Sequence, residues 1–158
     1  MMVRMYSTPG SGEESAVRRM ESESSTTDVL ARLREAINRH ELDALAACFD
    51  PAYHSEFPAH PDRTFRGHEQ MRKNWSQIFG AVPDIEAMLL RYASEGDTAW
   101  AEWEWTGTHF EGAPFAMRGV TVQGMQQDRI AWVRLYMEPV QEGAGGADEG
   151  IRQSLAGR

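Results

Sequence analysis

The chain has 158 residues, of which 41% are hydrophobic, 9% aromatic and 25% charged. This is the composition of a globular domain and excludes collagen-like and wholly disordered chains. Sixteen Lys and Arg against 24 Asp and Glu give a net charge of −8, so the basic face that nucleic acids and anionic membranes select is missing. No apolar run approaches the roughly 18 residues of a membrane helix, and the opening MMVRMYSTPGSGEES lacks the apolar stretch of a secretory signal, so the chain is expected to be cytoplasmic.

Residues 1–26 are rich in Ser, Glu, Thr and Gly without apolar periodicity, and read as a disordered arm. A helix follows from about Thr27 to His40, capped by Thr26 or Thr27, with Leu30, Leu33 and Ile37 at helical spacing. A second short helix runs over Leu42 to Phe49, with Leu42, Leu45 and Phe49 turned inward, and Pro51 stops it. Cys48, the single cysteine, excludes an internal disulfide and reads as packing in this helix. Tyr53 to Phe57 is a short strand ended by Pro58; the loop AHPDRTFRG then leads to a third helix over His68 to Phe79. Met71, Trp75, Ile78 and Phe79 form the buried face of that helix.

The remainder reads as four strands in a meander: Ile85 to Ser94, Thr98 to His109, Ala116 to Met125 and Arg129 to Glu138, joined by turn-like links. Residues 142–158 form a flexible tail, which leaves 27–141 as the folded unit. Helices first and long strands last make an α+β plan. The expected fold is a cone-shaped, curved, mixed or antiparallel sheet wrapped by three N-terminal helices, a shape that leaves a ligand cavity.

The segments INRHELDALAACFDPAYHSEFP, FRGHEQMRKNW, DTAWAEWEWTGTH and RIAWVRLYMEPV resemble the nuclear-transport-factor-two-like superfamily, and within it the SnoaL-like polyketide cyclase and ketosteroid-isomerase-like branch. The resemblance covers residues 28–140. It implies a cone-shaped domain, a homodimer packed through the outer face of the sheet, and cofactor-free, metal-free acid/base chemistry on a small apolar or polycyclic molecule. The alternative it leaves open is a non-enzymatic binding or dimerisation domain, because one superfold hosts many functions.

Strand alternation sorts the polar residues. On Tyr53 to Phe57, His54 and Glu56 share one face and Tyr53, Ser55 and Phe57 the other. The limonene-epoxide-hydrolase-like members carry two pocket residues two positions apart here. If Pro58 matches their proline, His54 and Glu56 fall at those positions. A Glu in an apolar cone has a raised pKa and can serve as a base, so Glu56 is the candidate base, with His54 beside it. The other reading places both on an exposed rim.

Trp103 and Trp105 share a face of the long strand and form a candidate ligand wall with Trp75, although they equally suit an ordinary core. Glu102 and Glu104 share the opposite face with Trp100 and are expected to pair across strands with Arg134 or Arg118. His109 closes TGTH, where SnoaL-like cyclases place a catalytic His, and is the third candidate catalytic group. Thr121 and Leu135 stand where the resemblance expects catalytic acids, and both count as ligand-binding candidates. No zinc, phosphate-loop or nucleophile-elbow pattern is present.

Overall fold

The computed structural model describes residues 11–143 and 145–156. Three helices precede most of the sheet: α1 Ser11–Asn38, α2 Leu42–Ala47 and α3 Gly67–Ala81. The strands are β1 Phe49–Glu56, β2 Phe65–Arg66, β3 Glu86–Glu95, β4 Thr98–Thr108, β5 Pro114–Gln126 and β6 Arg129–Pro139, and a last helix, α4, spans Ala147–Leu155. They make one curved six-stranded sheet in the order β2-β1-β6-β5-β4-β3. β1 runs parallel to β6 while every other pair is antiparallel. The α+β plan of the sequence reading holds, and of its two alternatives, a mixed or an antiparallel sheet, the sheet is mixed.

Helix α1 packs through Val29, Leu30, Leu33, Ala36 and Ile37, all at most 9% exposed; fully burying each large aliphatic residue is worth roughly 1.5–3 kcal/mol. His40 ends the helix in the left-handed region at φ 56°, and its ring stacks on Phe79. Asn38 closes the free edge of β3: its amide nitrogen donates to the Ala87 carbonyl at 3.1 Å and its oxygen accepts from the Ala87 N–H at 2.6 Å. The β5–β6 hairpin turns on Gln127 and Asp128, at φ 50° and 60°, the pair of positive angles that a two-residue type I′ turn needs.

Several boundaries differ from the sequence reading. α1 begins at Ser11, not Thr27, and so takes in most of the segment read as a disordered arm; residues 1–10 lie outside the described residues. Its first half is helical without an apolar stripe because Glu, Ala, Arg and Met are strong helix formers, and hydrogen bonds tie it down. Ser22 Oγ donates to the Gly96 carbonyl at 2.7 Å and Ser25 bonds Asp128. Thr27 caps nothing; its hydroxyl donates back to the Glu23 carbonyl inside the helix at 2.9 Å. Phe49 starts β1 rather than ending α2. The loop before α3 contains the short strand β2, and part of the segment read as a flexible tail forms α4.

Candidate functional site: an apolar cavity between α3 and the sheet

The inner face of the sheet and one flank of α3 enclose a cavity of about 180 Å³. β1 contributes Phe49, Tyr53 and Ser55, with Phe57 just beyond its end, and β2 contributes Phe65. Asn74, Trp75 and Ile78 line it from α3, where Ile78 lies four residues after Asn74 and three after Trp75 and so neighbours both on the helix surface. Trp105 and Met117 close it from β4 and β5, and Val133, Leu135 and Met137 from β6. The ring centroids of Trp75 and Trp105 lie 5.3 Å apart, and the phenol of Tyr53 packs on Phe49 at 4.7 Å and edge-on to Phe65 at 5.9 Å. A larger hollow of about 530 Å³ near Arg18, Arg19 and Asp97 is a groove walled mainly by exposed charged and polar side chains, and another of about 350 Å³ is an open hollow beside Arg91, Tyr92, Trp100 and Val120.

The polar members of the lining are few. Ser55 is 2% exposed. The Asn74 amide oxygen accepts from Gln70 Nε2 at 2.8 Å. Burial pushes the Tyr53 phenol up, so it stays a neutral hydroxyl. Among the described residues, no Asp, Glu, His, Cys, Lys or Arg lines the cavity. Among the described residues, no three His, Cys, Asp or Glu converge as a metal site would require.

Of the residues singled out from the sequence, Trp75, Trp105 and Leu135 line the cavity. Trp103 does not: it is 1% exposed, and its indole N–H donates to Thr121 Oγ1 at 3.0 Å. Thr121 serves the core as the acceptor of that bond. His109 lies past the end of β4, its backbone N–H bonded to the Ala113 carbonyl and its ring edge-on to Phe115, outside the cavity lining.

The placement of His54 and Glu56 in the cone is corrected. Ser55 pairs with buried Val133 while Glu56 pairs with Arg134, so the two candidates point to the outer face. Glu56 accepts a hydrogen bond from Arg134 Nε at 2.9 Å and lies 3.3 Å from His54 Nδ1. The Arg134 guanidinium holds its carboxyl below the usual range, opposite to the raised value an apolar cone would impose. Register explains the difference: a slip of one residue carries every side chain of a strand to the other face, and the pocket-facing pair is Tyr53 and Ser55. Alternation carried the signal, since Tyr53 and Phe57 are the apolar residues of the segment Tyr53 to Phe57.

The rest of the outer face is a lattice of ion pairs. Glu104 pairs with Arg118, as the sequence suggested, whereas Glu102 pairs with Arg91 at 2.5 Å, Arg134 being taken by Glu56. At the far end of β4, Gly107 lets the chain before β3 close on the strand: a Cβ there would meet Val82, Asp84 and Ile85. Asp84 Oδ1 then accepts the Thr108 N–H at 2.6 Å. The TGTH segment is thus a docking point for the α3–β3 link.

A family model for the SnoaL-like domain matches residues 30–133. No curated protein sequence matches the chain. Among solved structures, wild-type IdmH of Streptomyces antibioticus, assigned as a polyketide cyclase, is 21% identical with a TM-score of 0.62, over 71% of this chain and 91% of that one. A protein of Jannaschia sp. CCS1, assigned as a SnoaL-like polyketide cyclase, is 17% identical with a TM-score of 0.63, over 73% and 86%. An LEH-like epoxide hydrolase of M. tuberculosis is 15% identical with a TM-score of 0.63, over 73% and 84%. At these identities the likeness is one of fold.

Proposed function

Since the chain belongs to the SnoaL-like domain family, we propose that it is a small-molecule-binding member that holds one neutral, largely apolar molecule in the cavity between α3 and the sheet. One observation carries the reading: the lining side chains are aromatic, aliphatic and thioether, their polar groups are hydroxyls, one amide and indole N–H, and none of them exchanges a proton near neutral pH. General acid/base work needs such a group within hydrogen-bond reach of the reacting atom. Binding without turnover therefore fits better than isomerisation, cyclisation or hydration. Size narrows the ligand as well. A dry cavity of roughly 150 Å³ accepts benzene, and pockets for drug-sized ligands start at about 300 Å³. At about 180 Å³ the space suits a single ring rather than the polycycle that the family resemblance suggested.

The test is a toluene titration followed by NMR. Saturable binding is expected, with shifts concentrated on the Val133, Leu135 and Met117 methyl groups, and Val133→Phe, which fills the cavity, abolishes it. Absence of saturable binding by a folded chain overturns the reading. We further propose that the chain pairs with a second copy through the outer sheet face, where Met88, Trp100 and Tyr136 are exposed at 51%, 41% and 45%.

A further inference from the structure

Two apolar surfaces of this chain lie uncovered. One is a flank of α4. Ile151 and Leu155 are 61% and 79% exposed, and Asp148 joins them at the spacings of three and four residues that share one side of a helix. The helix has nine residues, with Gly150 among them, and one that short is marginal in water without a surface to pack on. The second surface is the open hollow of about 350 Å³ on the outer sheet face. Its apolar members on that face are Ala93, Trp100 and Val120, and the Arg91–Glu102 ion pair supplies the charged ones. Glu102 engages the Arg91 Nε. The terminal nitrogens of that guanidinium donate as well and have no hydrogen-bond partner among the described residues. The hollow thus sets apolar side chains beside an open cationic donor, and the flank of α4 sets two aliphatic side chains beside a carboxylate.

The course of the chain favours a second copy as the place where α4 lands. β6 ends at Pro139, opposite Met117, whereas Trp100 pairs with Val122, five residues further along β5, which is roughly 17 Å at about 3.4 Å per residue. In a face-to-face dimer whose two-fold axis lies across the strands, strand direction reverses between the copies. The β6 end of one copy then comes over the Trp100 end of the other. Residues 140–146 bridge what is left, well inside the limit of about 25 Å that a fully extended segment of that length spans.

We propose that α4 of each copy docks through Ile151 and Leu155 in the Ala93, Trp100 and Val120 hollow of the other, with Asp148 beside Arg91. This rests on the outer-face dimer and adds to it an arm that the two-fold symmetry makes twice. The contact is mainly apolar, because an exposed ion pair contributes little.

Sedimentation equilibrium of the native chain and of Ile151→Ser/Leu155→Ser tests the arm. Both positions are exposed, so the fold is kept, and the dimer dissociation constant is expected to rise about tenfold or more. A disulfide trap identifies the chain that α4 touches. One copy carries Leu155→Cys and the other Val120→Cys; Cys48 is buried and its thiol is pushed up by that burial, which keeps it inert. Mixed and oxidised, the two are expected to cross-link into a heterodimer. If the native chain is dimeric and the serine variant dimerises equally well, the docking of α4 is wrong and the outer-face dimer stands. If a chain bearing both cysteines closes a disulfide within itself far below the dissociation constant, α4 covers its own sheet and the exchange between copies is overturned. A native chain that is monomeric throughout removes the outer-face dimer and the arm with it.

Discussion

At the scale of single residues, Glu56 decides between two pictures of this chain. Its carboxylate sits in a hydrogen bond from Arg134 on the outer face, so Glu56→Gln should leave toluene binding in the cavity unchanged; a large loss would return Glu56 to the site. Its effect belongs to stability instead. The folded pKa lies below the ordinary value of 4.5, first through the Arg134 hydrogen bond and then through the charges of Arg134, His54 and Arg66. A group whose pKa is depressed by folding contributes fully above its unfolded value, and that contribution disappears as pH falls through the folded one. The native chain should therefore lose stability on acidification below about pH 4.5, and Glu56→Gln should flatten part of that loss in thermal melts taken against pH. Asp84 acts in the same direction, its carboxyl held down mainly by the Thr108 backbone N–H, so some acid sensitivity persists in the variant. The sequence showed that His54 and Glu56 share a face and that Tyr53 and Ser55 share the other. It did not show which face is inner, because that depends on the parallel pairing of β1 with β6, whose partners Glu56 and Arg134 are 78 residues apart in the chain.

At the scale of elements, the helices were legible where a face is buried and illegible where it is not. Leu30, Leu33 and Ile37 announce α1 because they pack on the sheet. Residues 11–26 carry no stripe because that half of the helix lies largely in solvent, with Val17 53% and Met20 70% exposed. Its anchors are hydrogen bonds from Ser22 and Ser25 to the two far hairpin turns, contacts that no periodicity reveals. Two truncation and substitution experiments follow from that division. Removal of residues 1–20 should leave a folded chain that melts within a few degrees of the full one, because residues 12–20 are all exposed. Leu30→Ala, at a fully buried position, should cost about 2–5 kcal/mol in denaturant unfolding. Near-equal effects of the two changes would mean that the first half of α1 is part of the core. The short β2 escaped notice for a related reason. Two residues, Phe65 and Arg66, pair antiparallel with β1, and a run that short carries no period to read.

At the scale of the whole molecule, the sheet has two faces of different character, and each makes its own demand. The inner face is covered by α1, α2 and α3 and keeps one apolar space. Among the described residues no element covers the outer face, which combines exposed Met88, Trp100 and Tyr136 with half-buried Val120, Val122 and Trp132, crossed by the pairs Arg91–Glu102, Arg118–Glu104 and Arg134–Glu56. Because its charges are already paired within one chain, the face can meet a second copy of itself without stranding like charges, as a two-fold interface requires. The net charge of −8 opposes that association at long range, and salt screens such repulsion over roughly 10 Å at 0.1 M. Apolar contact and screened repulsion both predict that salt strengthens the dimer. Light scattering at tens of micromolar chain should give a mass near twice 17.8 kDa, with a dissociation constant that falls as sodium chloride rises from about 0.05 to 0.3 M. Trp100→Glu should shift the chain to monomer without lowering its melting temperature by more than the lost dimer accounts for. A native chain that stays monomeric at every salt concentration would leave the outer face without the partner proposed for it. A dimer that weakens with salt would mean that charges of the two copies interlock, and that the ion pairs seen within one chain are exchanged for pairs between chains.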